Sequence, residues 1–317
     1  MSRILLTAIG SMAAAPVARR YQALGHTVFG CDIYPREWTA LAGELEFFQA
    51  RLATEGEPYV EQLREAVRRD MLDFLIPLTD PEVDALAPRK AEFRALGCTV
   101  CVPEERVAAL CRRKDKMNRF LAEKQVCRLI PTESAVSGQP CPFPFPAMVK
   151  PRSGRSSLGQ AVAADEKSYQ TALAGREDCI VQPFLEGDIF CVDVARDAFG
   201  HTRAAARQEL LRNKSGLGMT VEVLPGHPLE AVCAAIAEAV GLVGVVNMEF
   251  IRHGDDFFFL EVNPRFSGGV GFSMAAGMDF AEMMLCCHSC GSVEAFPAAP
   301  KHALLARESA IVLTQLR

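Results

Sequence analysis

The chain has 317 residues and a formal net charge of −5, and half of its residues are hydrophobic. At this length one hydrophobic core becomes too large, so we expect two or three globular domains. The acidic balance, without a large basic block, argues against nucleic acid as a partner. The apolar runs are shorter than the roughly 20 residues that span a membrane.

The 12 cysteines are scattered through helical and strand patterns, where cysteine acts as a small apolar residue. The first residues form a short strand pattern rather than an export signal. We therefore predict a cytoplasmic protein with free thiols. The segment 286–290 holds three cysteines and His288. It could be a zinc site, but the surrounding pattern favours the end of a buried helix.

The first hundred residues follow an α/β pattern. Residues 3–9 predict a buried parallel strand, a helix of small residues follows Gly10, and residues 27–32 predict the next strand, which ends at Asp32. This opening is typical of a dinucleotide fold, but the further glycines of its phosphate fingerprint are missing. An NAD(P)-dependent oxidoreductase is therefore disfavoured, and we predict a Rossmann-like domain without that cofactor.

The same domain continues to Pro103. The pattern predicts helices over 59–69 and 82–95 and strands over 73–77 and 98–102. Asp80-Pro81-Glu82 follows a strand, at the end where ligands bind in open α/β sheets. The same three residues also suit a helix start that is capped by Asp80, and the sequence leaves both interpretations open.

A second α+β region follows. Residues 104–126 predict one helical stretch with a basic cluster, and 131–146 a connection. A short strand then ends at Lys150, and the Gly/Ser-rich loop 152–159 leads into another strand. Backbone N–H groups of such a loop can cover phosphates, although a plain hairpin explains the pattern nearly as well. Further on, 212–220 predicts a flexible basic loop.

The most specific pattern is an apolar strand that ends in a Pro/Gly turn, at 257–269. Glu261 and Asn263 are two residues apart and share one strand face, with Leu260 and Val262 on the other. Residues 254–256 predict a hairpin turn that sets Glu249 opposite Glu261. Carboxylate and amide oxygens suit Mg²⁺ or Mn²⁺, and Arg265 suits a transferring phosphoryl group. An edge hairpin with solvated acids is the alternative.

Together these residues resemble the ATP-grasp superfamily, in particular single-copy relatives of the carbamoyl-phosphate synthase large subunit. The resemblance covers nearly the whole chain and includes Lys114-Asp115-Lys116, Val149-Lys150-Pro151 and the 182–188 segment. It implies a Rossmann-like N-terminal (pre-ATP-grasp) domain at 1–103. A two-subdomain ATP-grasp fold would follow, with a small subdomain at 104–185 and a C-terminal subdomain at 186–317.

The resemblance also implies an ATP site and a metal site. The residues that it assigns to ATP are Lys116, Lys150, Ser156, Gln182, Phe184, Leu185, Asp188 and Glu261. Those that it assigns to Mg²⁺ or Mn²⁺ are Glu249, Glu261 and Asn263. Arg265 and Lys150 would act in catalysis. Arg207, Lys214, Ser267 and Gly268 are candidate substrate contacts, and for Arg207 and Lys214 the alternative is an ordinary surface position.

Two positions depart from the family pattern. In the 182–188 segment, Pro183 stands where an acid is common in the family. Two acids usually follow the glycine of this segment, but here Gly187 is followed by only one, Asp188. The residue that would contact the ribose is therefore left open. The activity that the resemblance implies is ATP-dependent activation of a carboxylate as an acyl phosphate. Attack by an amine or similar nucleophile would then give an amide, ADP and phosphate. The alternative is a catalytically weak ATP-binding regulatory or partner protein. A homodimer is also consistent with the family.

Overall fold

The structure is a computed structural model that describes residues 1–154, 158–214 and 216–315. Within these residues the strands form three sheets, one parallel and two largely antiparallel. A search of the same residues finds no helix with the length and apolar character needed to cross a bilayer.

The first sheet is parallel and has the strand order β3-β2-β1-β4-β5. Its strands read as apolar runs because helices cover them, as in other parallel sheets. The helix α1 buries one stripe of small and aromatic residues, which includes Val17 and Tyr21. Its elements are β1 (Arg3–Leu6), α1 (Ala14–Ala23), β2 (Thr27–Asp32), β3 (Glu46–Gln49), α2 (Glu57–Asp70), β4 (Phe74–Ile76), α3 (Asp80–Leu86), α4 (Lys90–Ala95) and β5 (Thr99–Val100).

The second sheet is small and antiparallel, with the order β7-β10-β8-β9. It packs on the helix α7 through Val149, Tyr169 and Val181. The elements of this part of the chain are α5 (Glu105–Arg112), α6 (Lys114–Lys124), β6 (Arg128–Leu129), β7 (Glu133–Ala135), β8 (Ala147–Pro151), β9 (Ala161–Ala163), α7 (Glu166–Leu173) and β10 (Cys179–Pro183).

The third sheet is the largest and has the order β16-β13-β12-β11-β14-β15-β6. The short strand β6 joins it from the preceding part of the chain, parallel to β15. The remaining elements are β11 (Asp188–Arg196), β12 (Thr202–Arg212), β13 (Gly218–Val223), α8 (Pro228–Val240), β14 (Gly244–His253), β15 (Asp256–Asn263), α9 (Val270–Ala275), α10 (Phe280–His288) and β16 (Ala303–Ala306).

Four of the predicted elements differ from the structure. The segment 131–146, predicted as a connection, contains the strand β7. The single helical stretch at 104–126 is two helices, since Arg113 is extended and the backbone N–H of Lys114 donates to Arg152 O at 3.0 Å. The predicted helix at 82–95 is likewise divided by a 3-10 turn at Ala87–Arg89. The segment 212–220, predicted as a loop, includes the end of β12 and the start of β13.

The parallel sheet packs against the large sheet through α1 and α10. Their side chains share one buried core with β1 and with strands of the large sheet. Polar contacts fix this packing, because Arg20 Nε donates to Asp279 at 2.6 Å and the Tyr21 hydroxyl donates to Ala281 O at 2.8 Å. The carboxyl edge of the parallel sheet therefore faces the β14–β15 hairpin.

Candidate functional site

The β14–β15 hairpin carries two carboxylates that face each other. The strands turn at Gly254-Asp255, one residue fewer than the predicted turn at 254–256, and Glu249 still lies opposite Glu261, as the pattern predicts. A bulge follows, since Phe250 pairs with Phe259 and leaves Leu260 without a direct partner. The strict alternation predicted for this strand is therefore wrong at Leu260, which lines the same cavity as Glu261.

Asn263 completes the group. Its Nδ2 lies 3.2 Å from Glu249 Oε1 and 3.5 Å from Glu261 Oε1. Two carboxylates and an amide oxygen fit a hard divalent cation, provided that the amide turns so that Oδ1 faces the carboxylates. Across the described residues no set of three His, Cys, Asp or Glu side chains converges. A cation here would thus need further oxygen ligands from water or a phosphate.

The two carboxylates have different pKa values. Burial raises the pKa of Glu249, and the neighbouring Glu261 raises it further. Burial alone would also raise the pKa of Glu261. The positive charges of Lys114 and, to a smaller extent, Lys150 lower it by more, so the pKa of that carboxyl is lowered overall. Two like charges that face each other in a poorly solvated site repel, so a bound cation would favour the doubly ionised pair.

Two lysines approach this pair from other elements. Lys114, at the start of α6, forms an ion pair with Glu261 Oε2 at 3.0 Å. Lys150, on β8, is 5% exposed. Burial, with a contribution from Lys114, lowers the pKa of Lys150 to about 8. Two buried ammonium groups beside two carboxylates make a site with little net charge that is suited to phosphates and a metal.

Lys116 was assigned to the phosphates, and its observed position is different. Its side chain is exposed, and among the described residues that line the two main cavities Lys114 occurs but Lys116 does not. Residues two apart on a helix point about 200° from each other. The break at Arg113 therefore turns Lys114 toward Glu261 and Lys116 toward solvent.

A cavity of about 270 Å³ lies between the small sheet and the large sheet. Gln182, Phe184 and Leu185 line it, as their assignment to a nucleotide requires. Its charged lining side chains are Lys114, Lys150, Arg212 and both glutamates. The apolar lining side chains also include Ile130, Met148, Ile189, Ile251 and Leu260.

Two other nucleotide candidates lie elsewhere. Asp188 forms an ion pair with Arg252 and is not among the described residues that line the cavity, although its neighbour Ile189 is. The pairing occupies the carboxylate that was expected to bind the ribose. Ser156, in the predicted flap, lies outside the described residues, while Gly154 and Leu158 on either side of it line the cavity.

A second cavity of about 410 Å³ adjoins the first, and Glu249, Glu261 and Gly216 line both. Arg265 lies in its wall and donates to both carboxylate oxygens of Asp80, at 2.9 and 3.0 Å. A third donor of Arg265 binds Phe266 O at 3.0 Å. A guanidinium has five N–H groups, so two remain without a partner among the described residues.

Of the candidate substrate contacts, three line this second cavity. Arg207 is 1% exposed, so its alternative as a surface residue is wrong. It forms an ion pair with Asp193 at 2.6 Å and donates to Ser267 Oγ at 3.0 Å. Gly268 also lines the cavity, and Lys214 is exposed and absent from the described lining of either cavity.

The carboxyl edge of the parallel sheet faces the same cavity, and the partners of its acidic side chains differ from those predicted. Asp80 does not cap α3, because the cap residue is Thr79, whose backbone N–H and hydroxyl donate to Glu82 at 3.0 and 2.8 Å. Asp32 accepts from the backbone N–H of Gly10 at 2.7 Å. That contact uses the carboxylate which a dinucleotide fold would offer to a ribose.

The 286–290 segment ends α10. His288 is half-buried, and desolvation of its ring lowers its pKa to about 3. A side chain at Gly244 would meet its ring, which shows close packing against β14. The three cysteines carry free thiols.

Lys114 and Asp80 are functional candidates that the sequence did not assign to the site. Helical periodicity could have favoured Lys114, had the break at Arg113 been recognised. The pairing of Asp80 with Arg265 joins residues 185 positions apart, and a single sequence contains no signal for it.

Comparison with known proteins finds similar sequences and similar folds. The model of the family "ATP-grasp in the biosynthetic pathway with Ter operon" matches residues 175–309. Curated relatives include the formate-dependent phosphoribosylglycinamide formyltransferase of Synechococcus sp. (strain CC9605), 27% identical over 280 residues. That match takes in 78% of this chain and 66% of the relative. The chain thus spans about two thirds of that relative's length.

Solved structures of similar fold cover nearly the whole chain. Biotin carboxylase from Campylobacter jejuni superimposes with a TM-score of 0.76 at 16% identity, over 96% of this chain and 74% of that chain. N5-carboxyaminoimidazole synthetase from Staphylococcus aureus gives a TM-score of 0.71 at 14% identity, over 96% of this chain and 80% of that chain. The family match over residues 175–309 and the shared fold both agree with the resemblance to the ATP-grasp superfamily drawn from the sequence.

Proposed function

We propose that this chain is an ADP-forming ligase that activates a carboxylate with ATP and transfers the acyl group to an amine or similar nucleophile. The observation that carries the proposal is the junction of two cavities at Glu249 and Glu261. One cavity has the apolar and cationic side chains that a nucleotide requires. The other offers space for an acyl acceptor beside Arg265. The domain limits 1–103, 104–185 and 186–317 are part of the proposal.

In this proposal the nucleotide lies in the smaller cavity. Phe184, Leu185 and the other apolar side chains enclose the base, and Lys114 and Lys150 neutralise the phosphates. Glu249, Glu261 and Asn263 hold Mg²⁺, which would screen the phosphate charge and align the γ-phosphoryl group. The closely spaced charges support this arrangement, since phosphoryl transfer depends on positioning and charge neutralisation.

The carboxylate substrate lies in the larger cavity. Its oxygen attacks the γ-phosphorus, the bond to the bridging oxygen of ADP breaks, and an acyl phosphate forms. The two unpartnered N–H groups of Arg265 stabilise the transferred phosphoryl group while Asp80 holds the guanidinium in place. The nucleophile then displaces phosphate. Curated relatives named for formate-dependent formyl transfer support a small carboxylate as the substrate.

The test is a phosphate-release screen of the whole chain with Mg·ATP, over small carboxylates that include formate, each paired with amines. We expect one pair to raise phosphate release well above the rate with ATP alone, with a product that contains a new amide bond. Tight ATP binding without turnover for any pair would instead favour a regulatory ATP-binding protein. Failure to bind ATP would contradict both.

A further inference from the structure

Gln182 is a polar lining residue of the proposed nucleotide cavity, in which apolar side chains such as Met148, Phe184 and Leu185 also lie. Its side chain is 3% exposed, and it lines the cavity with Met148, its partner across the β8–β10 ladder. The amide Nε2 donates to Thr132 Oγ1 at 2.6 Å. Among the described residues nothing donates to its Oε1, so this carbonyl oxygen is available to a ligand.

Thr132 determines which end of that amide faces the cavity. Its hydroxyl hydrogen is committed to the backbone carbonyl of Ile130 at 2.8 Å. The amide of Asn118, which is 8% exposed, donates to the same oxygen at 2.7 Å. A hydroxyl has one hydrogen and two lone pairs. With its hydrogen used, Thr132 can only accept from Gln182, and a flipped amide would set two acceptors against each other.

We infer that Thr132, held by Asn118 and Ile130, is a positioning residue that makes Gln182 present only an acceptor to the base. A 6-amino purine offers a donor at this edge, whereas a 6-oxo purine offers an acceptor. The Asn118–Thr132–Gln182 chain would therefore select adenine nucleotides over 6-oxo purine nucleotides. This inference rests on the proposed function, because it requires the base to lie in this cavity.

A polar network of this kind gives selectivity through unpaired groups more than through new contacts. A 6-oxo base bound against Gln182 would leave two acceptors face to face without water, which costs more than a missing contact. If Thr132 were unable to accept, Gln182 could flip and offer its Nε2 to the 6-oxo group. The selectivity should then fall, while the rest of the cavity stays intact.

The test uses Mg·ATP and Mg·ITP, which differ only in the 6-amino or 6-oxo edge of the base. Calorimetric Kd values are measured for the full chain and for Thr132→Val, which keeps the side-chain shape. We expect the unmodified protein to prefer ATP and Thr132→Val to reduce the ITP:ATP ratio of Kd values by roughly tenfold, as the loss of one hydrogen-bond preference predicts. Thr171→Val, an exposed threonine on α7, is the control and should leave the ratio unchanged.

A second pair of variants separates positioning from general damage to the cavity. In a Gln182→Glu background a flip exchanges one oxygen for another, so adding Thr132→Val should barely change the ratio. This lack of additivity identifies the amide flip as the cause. An unchanged ratio in Thr132→Val, or an equal effect in both backgrounds, would overturn the inference and leave the proposed function intact. Failure of the unmodified chain to bind either nucleotide would overturn both.

Discussion

Two regions of the molecule hold carboxylates in opposite ways, and those of the first are buried while those of the second are half-buried. At the carboxyl edge of the parallel sheet, backbone N–H groups satisfy Asp32 and Glu82. In the β14–β15 hairpin, no backbone N–H group of the described residues donates to Glu249 or Glu261, and the two face each other across the ladder.

This difference indicates that the carboxylates of the parallel sheet have a structural role and that those of the hairpin have a functional one. A carboxylate that accepts from the backbone has its charge compensated by the fold and stabilises a turn or a helix start. Facing carboxylates repel, so they destabilise the isolated protein and gain from a cation. In the hairpin Glu261 raises the pKa of Glu249, whereas the hydrogen bonds to Glu82 lower the pKa of that carboxyl, although its burial outweighs them and leaves the pKa raised. We expect substitutions at the hairpin to affect turnover and those at the parallel sheet to affect stability.

The largest expected effect is at Glu261. Glu261→Ala removes a proposed metal ligand and the partner of Lys114, so turnover should fall by a factor on the order of 10²–10³ or more. Steady-state phosphate release with the true substrates measures it. Asp255→Ala is the matched control, because this exposed residue lies in the turn of the same hairpin. Full turnover by Glu261→Ala would refute the assignment.

The next largest effect is expected at Lys150, whose contribution to ATP binding depends on pH. The pKa of Lys150 is about 8 without nucleotide, so the ammonium loses its charge as the pH rises through that value. ATP binding should therefore weaken above about pH 8 and take up a proton there. Calorimetry in buffers of different ionisation enthalpy measures the proton uptake. Lys150→Met should bind ATP more weakly at pH 7 and lose this uptake, whereas uptake that persists in the variant would assign it to another group.

A substitution at Asp80 tests whether the parallel sheet contributes to catalysis by holding Arg265 in place. Asp80→Asn keeps the shape but removes the charge that holds the guanidinium at 2.9 and 3.0 Å. A charge-assisted hydrogen bond contributes about 1.5–3 kcal/mol, so kcat/KM should fall roughly 10- to 100-fold. ATP affinity should change little, since Asp80 lines only the larger cavity. An equal loss of ATP affinity would argue against this separation.

The smallest effect on activity is expected at Glu82. Glu82→Gln leaves one of the donors at the start of α3 without a charged acceptor, which should lower the free energy of unfolding by about 1–3 kcal/mol. Urea denaturation measures it. Turnover per folded molecule should stay near that of the unmodified protein. A large loss of turnover with unchanged stability would make Glu82 part of the site.

Much of the site could be predicted from the sequence, because its central part is local. The turn signal and the two-residue period of a strand predict a hairpin with Glu249 and Glu261 on one face, and Lys150 ends a recognisable strand. The observed pairing also depends on the bulge at Leu260, which compensates for a turn one residue shorter than predicted. The sequence points to Lys116 rather than Lys114 because the break at Arg113 depends on a hydrogen bond to Arg152 O, 38 positions further along the chain from Lys114. Asp80–Arg265 and Thr132–Gln182 are also tertiary contacts, and periodicity has no bearing on them.

The account depends most on the joint role of the two facing glutamates in holding a metal-bound triphosphate. Electron paramagnetic resonance of Mn²⁺ in the presence of ATP measures it directly, since the signal of free Mn²⁺ falls when the ion binds. We predict that the unmodified protein and Glu82→Gln bind Mn²⁺ with ATP, and that the double variant Glu249→Gln, Glu261→Gln does not. Equal binding of Mn²⁺ with ATP by the double variant would contradict the account.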